Sequence, residues 1–257
     1  MNSAMLGWLA ASSLFGGMLV MLEVGRRFGA RAFAADSEAK SGTGPIEGAV
    51  FALLGLLVAF TFSGALGRFE ERRGWILDEA NAVGTAWLRV DLVPEAQREP
   101  LRTALRAYVD ARLEGYAQRA SDPDAEGEFT KAERAGADLW RAAMVAVQPP
   151  AMPAAGTLLL PALNEAFDIA AARTLATRRH PPRVVYVMLF LLALSAALFA
   201  GYGMGACKRR RWLHTVGFSF VICGTVGVTM DIEYPRQGLI RVDAFDHTLA
   251  SVRAGMK

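Results

Sequence analysis

The chain has 257 residues, of which 53% are hydrophobic, and its mean hydropathy is +0.25. A positive average over this length excludes an ordinary soluble domain and favours several membrane spans. The 28 basic and 25 acidic residues leave a net charge of +3, which is too small to indicate a nucleic-acid partner.

The first 22 residues contain no charged side chain, and Glu23 and several arginines follow them. This pattern predicts a first membrane span. A cleaved signal peptide is the alternative, because the sequence from Ala32 to Ala34 resembles a cleavage box, but no basic residue precedes the apolar run and the run is too long. Residues 32–46 are rich in Gly, Ser and Ala and predict a flexible linker.

Residues 48–67 are twenty consecutive positions without a charge. At about 1.5 Å rise per residue, a helix of this length spans about 30 Å, the thickness of the hydrocarbon core of a bilayer. Charged residues begin at Arg68, yet the next proline is Pro94 and the composition between them favours a helix. The sequence therefore predicts one long helix that crosses the membrane and continues well beyond it.

Small side chains recur every three or four positions along this second span and form one narrow stripe, Gly48, Ala52, Gly55, Ala59 and Ser63. Such stripes let membrane helices approach closely. The stripe either packs against other spans of its own chain, or it forms a subunit contact or the lining of a pore. With the phenylalanines at its edge, the candidate pore-lining or helix-packing residues are Phe51, Gly55, Ala59, Phe62 and Ser63.

Apolar residues recur at helical spacing in three segments after the long helix, 95–118, 126–147 and 158–179. Turn sequences separate them, SDPDAEGE before the second segment and PPAMPAAG before the third. Together with the continuation of the second span, these segments predict an extramembrane helical domain over residues 68–180.

Polar side chains interrupt the apolar faces of this domain and need partners. Asn164 and Asp168 are four residues apart and share one helix face. Two interpretations are open for them: pairing with neighbours, with Arg89 as a candidate, or a cation site. The candidate structural or ion-binding cluster comprises Glu79, Asn81, Arg89, Asn164, Glu165, Asp168 and Arg173.

Two more spans are predicted at 184–206 and 212–230, after the helix-breaking sequence RRHPPR. Only residues 207–211, which include four consecutive basic side chains, separate them, so the spans form a tight hairpin within a segment that covers 181–257. The first 67 residues hold the other two spans.

Three glycines at the end of the third span and two acids at the end of the fourth each have a functional and a structural interpretation. Gly201, Gly203 and Gly205 superficially resemble a phosphate loop, but no strand precedes them, and close helix packing explains them better. Asp231 and Glu233 at the end of the fourth span are either a functional intramembrane acid pair or acids that are solvated or paired with arginine, and the second interpretation is favoured.

Residue types that carry catalysis are scattered. His180, His214 and His247 lie far apart in the sequence, and no nucleophile elbow is visible. Cys207 and Cys223 lie in or beside apolar segments, which predicts neither a disulfide framework nor a thiolate metal site. We expect no enzymatic activity, no cofactor and no metal.

Four stretches together resemble an uncharacterised bacterial membrane family labelled bestrophin-like. They are FALLGLLVAFTFSGALGRFEERR at 51–73, DEANAVGTAWLRVDLVP at 78–94, PALNEAFDIAAARTLATRRHPPRVVYVML at 161–189 and MDIEYPRQGLIRVD at 230–243. The resemblance implies a distant similarity to bestrophins, which are oligomeric anion channels with an aromatic-lined constriction.

Orientation depends on two opposed signals. The short connections 23–47 and 207–211 are rich in basic residues, so the positive-inside rule places them in the cytoplasm and the 68–180 domain outside it. Arginines at both ends of that domain favour a cytoplasmic domain instead. The resemblance to bestrophins, whose termini are both cytoplasmic, favours the same side, because four spans place both termini and the domain on one side of the membrane. We expect a multi-pass protein of the inner membrane with an extracytoplasmic domain.

The sequence thus predicts an all-α membrane protein with four spans and a helical bundle that continues from the second span. The first hypothesis for its function is a homo-oligomeric ion channel whose pore is lined by that span, with anions implied by the resemblance. The alternative is a membrane-anchored helical sensor or scaffold that does not conduct. The expected partners are the lipid bilayer, further copies of the chain and, for a channel, ions.

Overall fold

The computed structural model describes residues 3–35, 43–121, 127, 129–148, 153–205, 212–234, 239–240 and 242–257. Several predictions lie outside these residues, wholly or in part: the centre of the 32–46 linker, most of the two turn sequences, the connection 207–211 with Cys207, and the residues that directly follow Tyr234.

The fold is all-helical, as predicted, and the described residues contain eight α-helices and no strand. They are α1 (Ser3–Ala35), α2 (Thr43–Arg89), α3 (Glu95–Ser121), α4 (Thr130–Ala146), α5 (Pro153–Ala176), α6 (Arg183–Met204), α7 (Trp212–Glu233) and α8 (Asp243–Gly255), with a short 3₁₀ turn at Val90–Leu92 between α2 and α3.

Four helices among the described residues, α1, α2, α6 and α7, are long and apolar enough to cross a membrane. This confirms the multi-pass prediction. The continuous helix α2 also confirms the predicted rod. Its 47 residues correspond to about 70 Å at 1.5 Å per residue, more than twice the hydrocarbon thickness. The structure differs at α1, which continues past Glu23 to Ala35, because Glu23 forms ion pairs with Arg26 and Arg27 along the same helix.

Residues 1–69 and 180–240 form one compact unit, which contains the four membrane helices. The core of this membrane unit consists of aliphatic and small side chains from all four: Leu14, Met18, Leu22, Leu54, Leu189, Ala193, Ala196, Ala197, Cys223 and Val226. Helices α1 and α6 run parallel, since Gly17 lies beside Leu194 and Gly29 lies beside Tyr202. Helices α1 and α7 run antiparallel, since Met18 contacts Cys223 and Gly7 contacts Met230.

Residues 70–179 and 241–257 form a second compact unit, which contains the continuation of α2, helices α3 to α5, and α8. Its core combines aliphatic residues with aromatic ones, among them Leu101, Leu105, Tyr108, Tyr116, Phe129, Leu139, Leu159 and Leu163. Helix α5 begins at Pro153, five residues before the predicted start, and continues through Pro161. Helix α8 was not predicted, and Leu249 and Met256 bring it into the same core.

Candidate functional site

The small-residue stripe of α2 faces away from the other described spans of its own chain. Gly48, Ala52, Gly55, Ala59 and Ser63 are all exposed. A Cβ atom added at Gly48 or Gly55 would meet no atom within 4 Å. In the most apolar window of α2 only 11% of the residues are buried, against 28% in α1 and α6 and 39% in α7. The stripe is therefore available to lipid, to a second copy or to a lumen.

The two candidate phenylalanines of α2 face α7 instead. The Phe51 ring meets the Phe218 ring edge to face, with 5.9 Å between centroids. Phe62 lines an apolar groove of about 440 Å³ together with α7 residues that include Phe220 and Gly224. The five candidates of this span thus divide between two faces: Gly55, Ala59 and Ser63 lie on the exposed stripe, and Phe51 and Phe62 lie toward α7.

An ion-pair cluster within the membrane unit links the middle of α2, where its uncharged run ends, to the end of α7. The Glu233 side chain is fully buried. The Arg68 guanidinium donates to both of its oxygens, from Nη2 to Oε2 at 2.7 Å and from Nε to Oε1 at 3.1 Å. His180 Nδ1 lies 3.1 Å from Glu233 Oε1, and its ring stacks on Tyr234. Glu233 is therefore an acid paired with arginine.

Asp231, the second acid at the end of α7, binds backbone rather than a cation in the described structure. Its carboxylate accepts hydrogen bonds from the amide groups of Leu239 and Ile240 at 2.8 to 3.1 Å. A buried carboxylate is stabilised by such donors because they replace the water that it loses. Asp231 thus holds the chain that follows the last membrane helix against the end of that helix.

A second buried cluster, the Glu79 cluster, joins α2, α3 and α5 inside the second unit. Glu79 is fully buried and both carboxylate oxygens accept hydrogen bonds. Arg112 Nε donates to Oε1 at 2.9 Å, while Arg173 Nη1 and the Tyr116 hydroxyl both donate to Oε2 at 2.6 Å. The Arg173 guanidinium lies over the Tyr116 ring at 3.5 Å from its centroid. These contacts tie the continuation of the second span to the helices around it.

The protonation state of Tyr116 fits its role as a donor in this cluster. Burial raises the pKa of its phenol well above the ordinary value, and the neighbouring Glu79 carboxylate raises it further, although Arg173 and Arg112 oppose the shift. The phenol therefore keeps its proton at any physiological pH. The hydrogen bond from Tyr116 to Glu79 is consequently a fixed structural feature rather than a titrating one.

The predicted polar cluster does not form a single site. Its members are placed in four ways. Glu79 and Arg173 come together in the buried cluster. Asn164 donates to Asp168 at 3.0 Å on the surface of α5, so these two pair with each other rather than with Arg89. Arg89 donates instead to the Leu158 carbonyl at 2.9 Å. Asn81 and Glu165 are exposed. No group of three or more potential metal ligands occurs among the described residues.

The sequence pattern did not identify Arg112 and Tyr116 as partners of Glu79. It also did not identify Arg68 as the partner of Glu233. A signal for Arg112 is visible in the sequence, because it lies on the apolar stripe of α3, seven residues after Leu105 and four before Tyr116. A charged residue inside an apolar stripe requires a buried partner of opposite charge. Arg68 offers no comparable signal, because a basic residue where a span leaves the membrane is ordinary.

Comparison with known proteins shows that the chain matches one family model. A family model described as the Bestrophin-like domain matches residues 13–244, which cover most of α1, the other three membrane helices, and the second unit up to the start of α8. No curated protein and no solved structure matches the chain.

Proposed function

The chain belongs to the Bestrophin-like family, and we propose that it forms a homo-oligomeric ion channel whose pore is lined by α2. The observation that carries this proposal is the exposure of the small-residue stripe of α2, Gly48, Ala52, Gly55, Ala59 and Ser63. Oligomerisation and conduction are both part of the proposal, and the family favours anions as the conducted species.

Two properties of α2 support a role around a central axis. The helix contributes few side chains to the membrane core, so its exposed face is free to meet other copies. That face carries glycine, alanine and serine, whose small side chains leave room for close helix contact or for an open lumen. A helix that met only lipid would have no need of such a stripe, since lipid chains solvate large aliphatic side chains equally well.

Ion flux through liposomes tests the proposal. We expect vesicles with the purified protein to dissipate a chloride gradient faster than empty vesicles do. Ala59→Trp places a large side chain on the exposed stripe, and we expect it to reduce flux about tenfold or more without a change in oligomer size, because it narrows the lumen. The matched control is Val187→Trp, at an exposed position of α6, which should leave flux unchanged.

The other outcomes contradict the proposal. If Ala59→Trp dissociates the oligomer, the stripe is a subunit contact and does not line the pore. If wild-type protein conducts neither chloride nor potassium over a range of voltage, pH and calcium concentration, the chain is a non-conducting sensor or scaffold.

A further inference from the structure

The second unit contains an open cavity of about 740 Å³ bounded by α3, α4 and α5. This volume lies in the range of small-molecule sites, roughly 300 to 1,000 Å³. Four aromatic side chains dominate its wall, Tyr108, Phe129, Trp140 and Phe167. Three of these rings are in contact, since Phe167 lies 5.2 Å from Tyr108 and 6.3 Å from Trp140 between ring centroids. The wall of the cavity is therefore largely aromatic.

One buried cation lies in this aromatic wall. Arg112 lines the cavity and only 5% of its surface is exposed. Its Nε donates to Glu79, and its Nη2 donates to the Ala170 carbonyl and the Tyr116 hydroxyl. Nη1, which carries two further N–H donors, forms no hydrogen bond with any residue that the structure describes. The arginine is held by its other nitrogens and retains donors for a ligand.

The cavity as a whole favours an anion. Among the described residues that line it, three are charged, and two of these are arginines: Arg112 in the interior and Arg178 at an exposed position. The acidic one, Glu133, is exposed to solvent, where water screens its charge. Phe129 lies against the Arg112 guanidinium, 4.6 Å from its ring centroid, and so holds the cation in place. Arg112 and Arg173 share the Glu79 carboxylate, so these three buried side chains together carry a net positive charge beside the cavity.

We propose that this cavity binds a small organic carboxylate with an apolar body. The carboxylate accepts hydrogen bonds from Arg112 Nη1, and the body packs among the rings of Phe129, Trp140 and Phe167. The bond to a buried guanidinium is charge-assisted, which distinguishes the acid from a neutral molecule of the same shape. The site lies in the second unit, and its occupancy is independent of whether the membrane helices conduct.

Binding is measured with phenylbutyrate as the probe and phenylbutanol as its neutral analogue, titrated into the full-length protein in nanodiscs. Trp140 lies in the cavity wall, so its fluorescence reports occupancy. The signal should be absent in Trp140→Phe and in empty nanodiscs. We expect phenylbutyrate to bind about tenfold more tightly than phenylbutanol, because one hydrogen bond to a charged group is worth that factor or more. Decanoate in a parallel titration separates an aliphatic from an aromatic preference.

Two variants locate the site without a change to the Glu79 cluster. Ala171 is exposed and lines the cavity, so Ala171→Phe should abolish binding and leave the melting temperature unchanged. Ala107 is exposed on α3 and is not among the residues that line the cavity, so Ala107→Phe should bind as wild type does. In Arg178→Gln the preference for the acid should persist, since Arg112 provides it.

The proposal is overturned by any of four results: equal affinity for the acid and the alcohol, no binding of any of the three probes by wild type, undiminished binding in Ala171→Phe, or loss of the acid preference in Arg178→Gln. None of these results bears on ion flux.

Discussion

At the level of single residues, Glu79 explains how a charged side chain is accommodated in an apolar core. Removal of a carboxylate from water costs several kcal/mol, which is offset only if both oxygens of the acid find good donors. Arg112, Arg173 and Tyr116 supply those donors from two helices. The geometry also specifies how α2, α3 and α5 align, because a shift of any one helix would leave a buried charge without its partner.

We therefore predict that Glu79→Gln destabilises the protein by about 3–5 kcal/mol, because it leaves two buried guanidinium groups without a carboxylate. Tyr116→Phe removes one hydrogen bond and should cost about 1–3 kcal/mol. Denaturant titration of the purified protein in detergent measures both changes in the free energy of unfolding. The control is Asp138→Asn, which breaks the exposed ion pair with Arg141 and should cost about 1 kcal/mol or less. A cost for Glu79→Gln as small as that of the control would show that the cluster does not stabilise the fold.

From the sequence, two members of this cluster could be predicted to need partners, but not which residues those partners are. Glu79 and Arg173 stand out as charges beside apolar stripes, so both were predicted to need partners. That they meet each other depends on how α2 and α5 are placed, and residues 94 positions apart in the chain carry no periodic signal that links them. Asn164 and Asp168 show the converse, since their spacing of four residues predicted that they share a helix face. Arg89 was the candidate partner, but in the structure the two residues bond to each other.

At the level of elements, the membrane unit is organised by a glycine contact between α1 and α6. An added Cβ at Gly25 would lie 2.0 Å from the Leu198 carbonyl oxygen, and one at Gly201 would lie 2.1 Å from the Leu22 carbonyl oxygen. Both distances are far inside van der Waals contact, so these backbones approach closely only because glycine has no side chain. On α2, by contrast, a Cβ added at Gly48 or Gly55 would meet no atom of the described residues within 4 Å.

Alanine at Gly201 tests this contact. We expect Gly201→Ala to destabilise the protein by about 1–3 kcal/mol, because the methyl group must displace the backbone of α1. The comparison is Gly217→Ala on α7, where an added Cβ meets nothing within 4 Å and alanine also favours the helix. Thermal unfolding in the same detergent should show a lower midpoint for the first variant and an equal or higher one for the second. Equal midpoints for the two would mean that α1 and α6 are not in close contact in the membrane.

Element boundaries followed from the sequence more readily than element partners. The four spans and the continuous α2 were predicted, because long uncharged runs and the absence of proline are local properties. Close packing was also the favoured explanation of Gly201 and Gly205. The sequence could not show that these two glycines pack against α1 rather than against the adjacent α7. The choice of partner is a non-local property, since any span that contains glycine can pack closely.

At the level of the whole molecule, both compact units are discontinuous in sequence. The second unit recruits α8 from beyond the last membrane helix, through the buried side chains Leu249 and Met256 and through an ion pair between Arg253 and Asp110 at 2.7 Å. Helix α8 has only 13 residues. A segment this short gains most of its stability from tertiary packing, which explains why its sequence pattern alone gave no prediction of a helix.

The position of α8 provides a direct test of membrane orientation. Ser251 is exposed on α8 and therefore reports the side of the second unit, whereas Ala35 is exposed at the end of α1 and reports the connection to α2. In a background with Cys207→Ser and Cys223→Ala, single cysteines at these two positions are treated with a membrane-impermeant thiol reagent in intact cells. The basic residues of the two short connections favour retention of those connections in the cytoplasm. We thus expect Ser251→Cys to be labelled in intact cells and Ala35→Cys to be labelled only after the cells are lysed. The opposite pattern would place the second unit in the cytoplasm, and it would show that the arginines at the membrane-proximal ends of that unit outweigh the short basic connections.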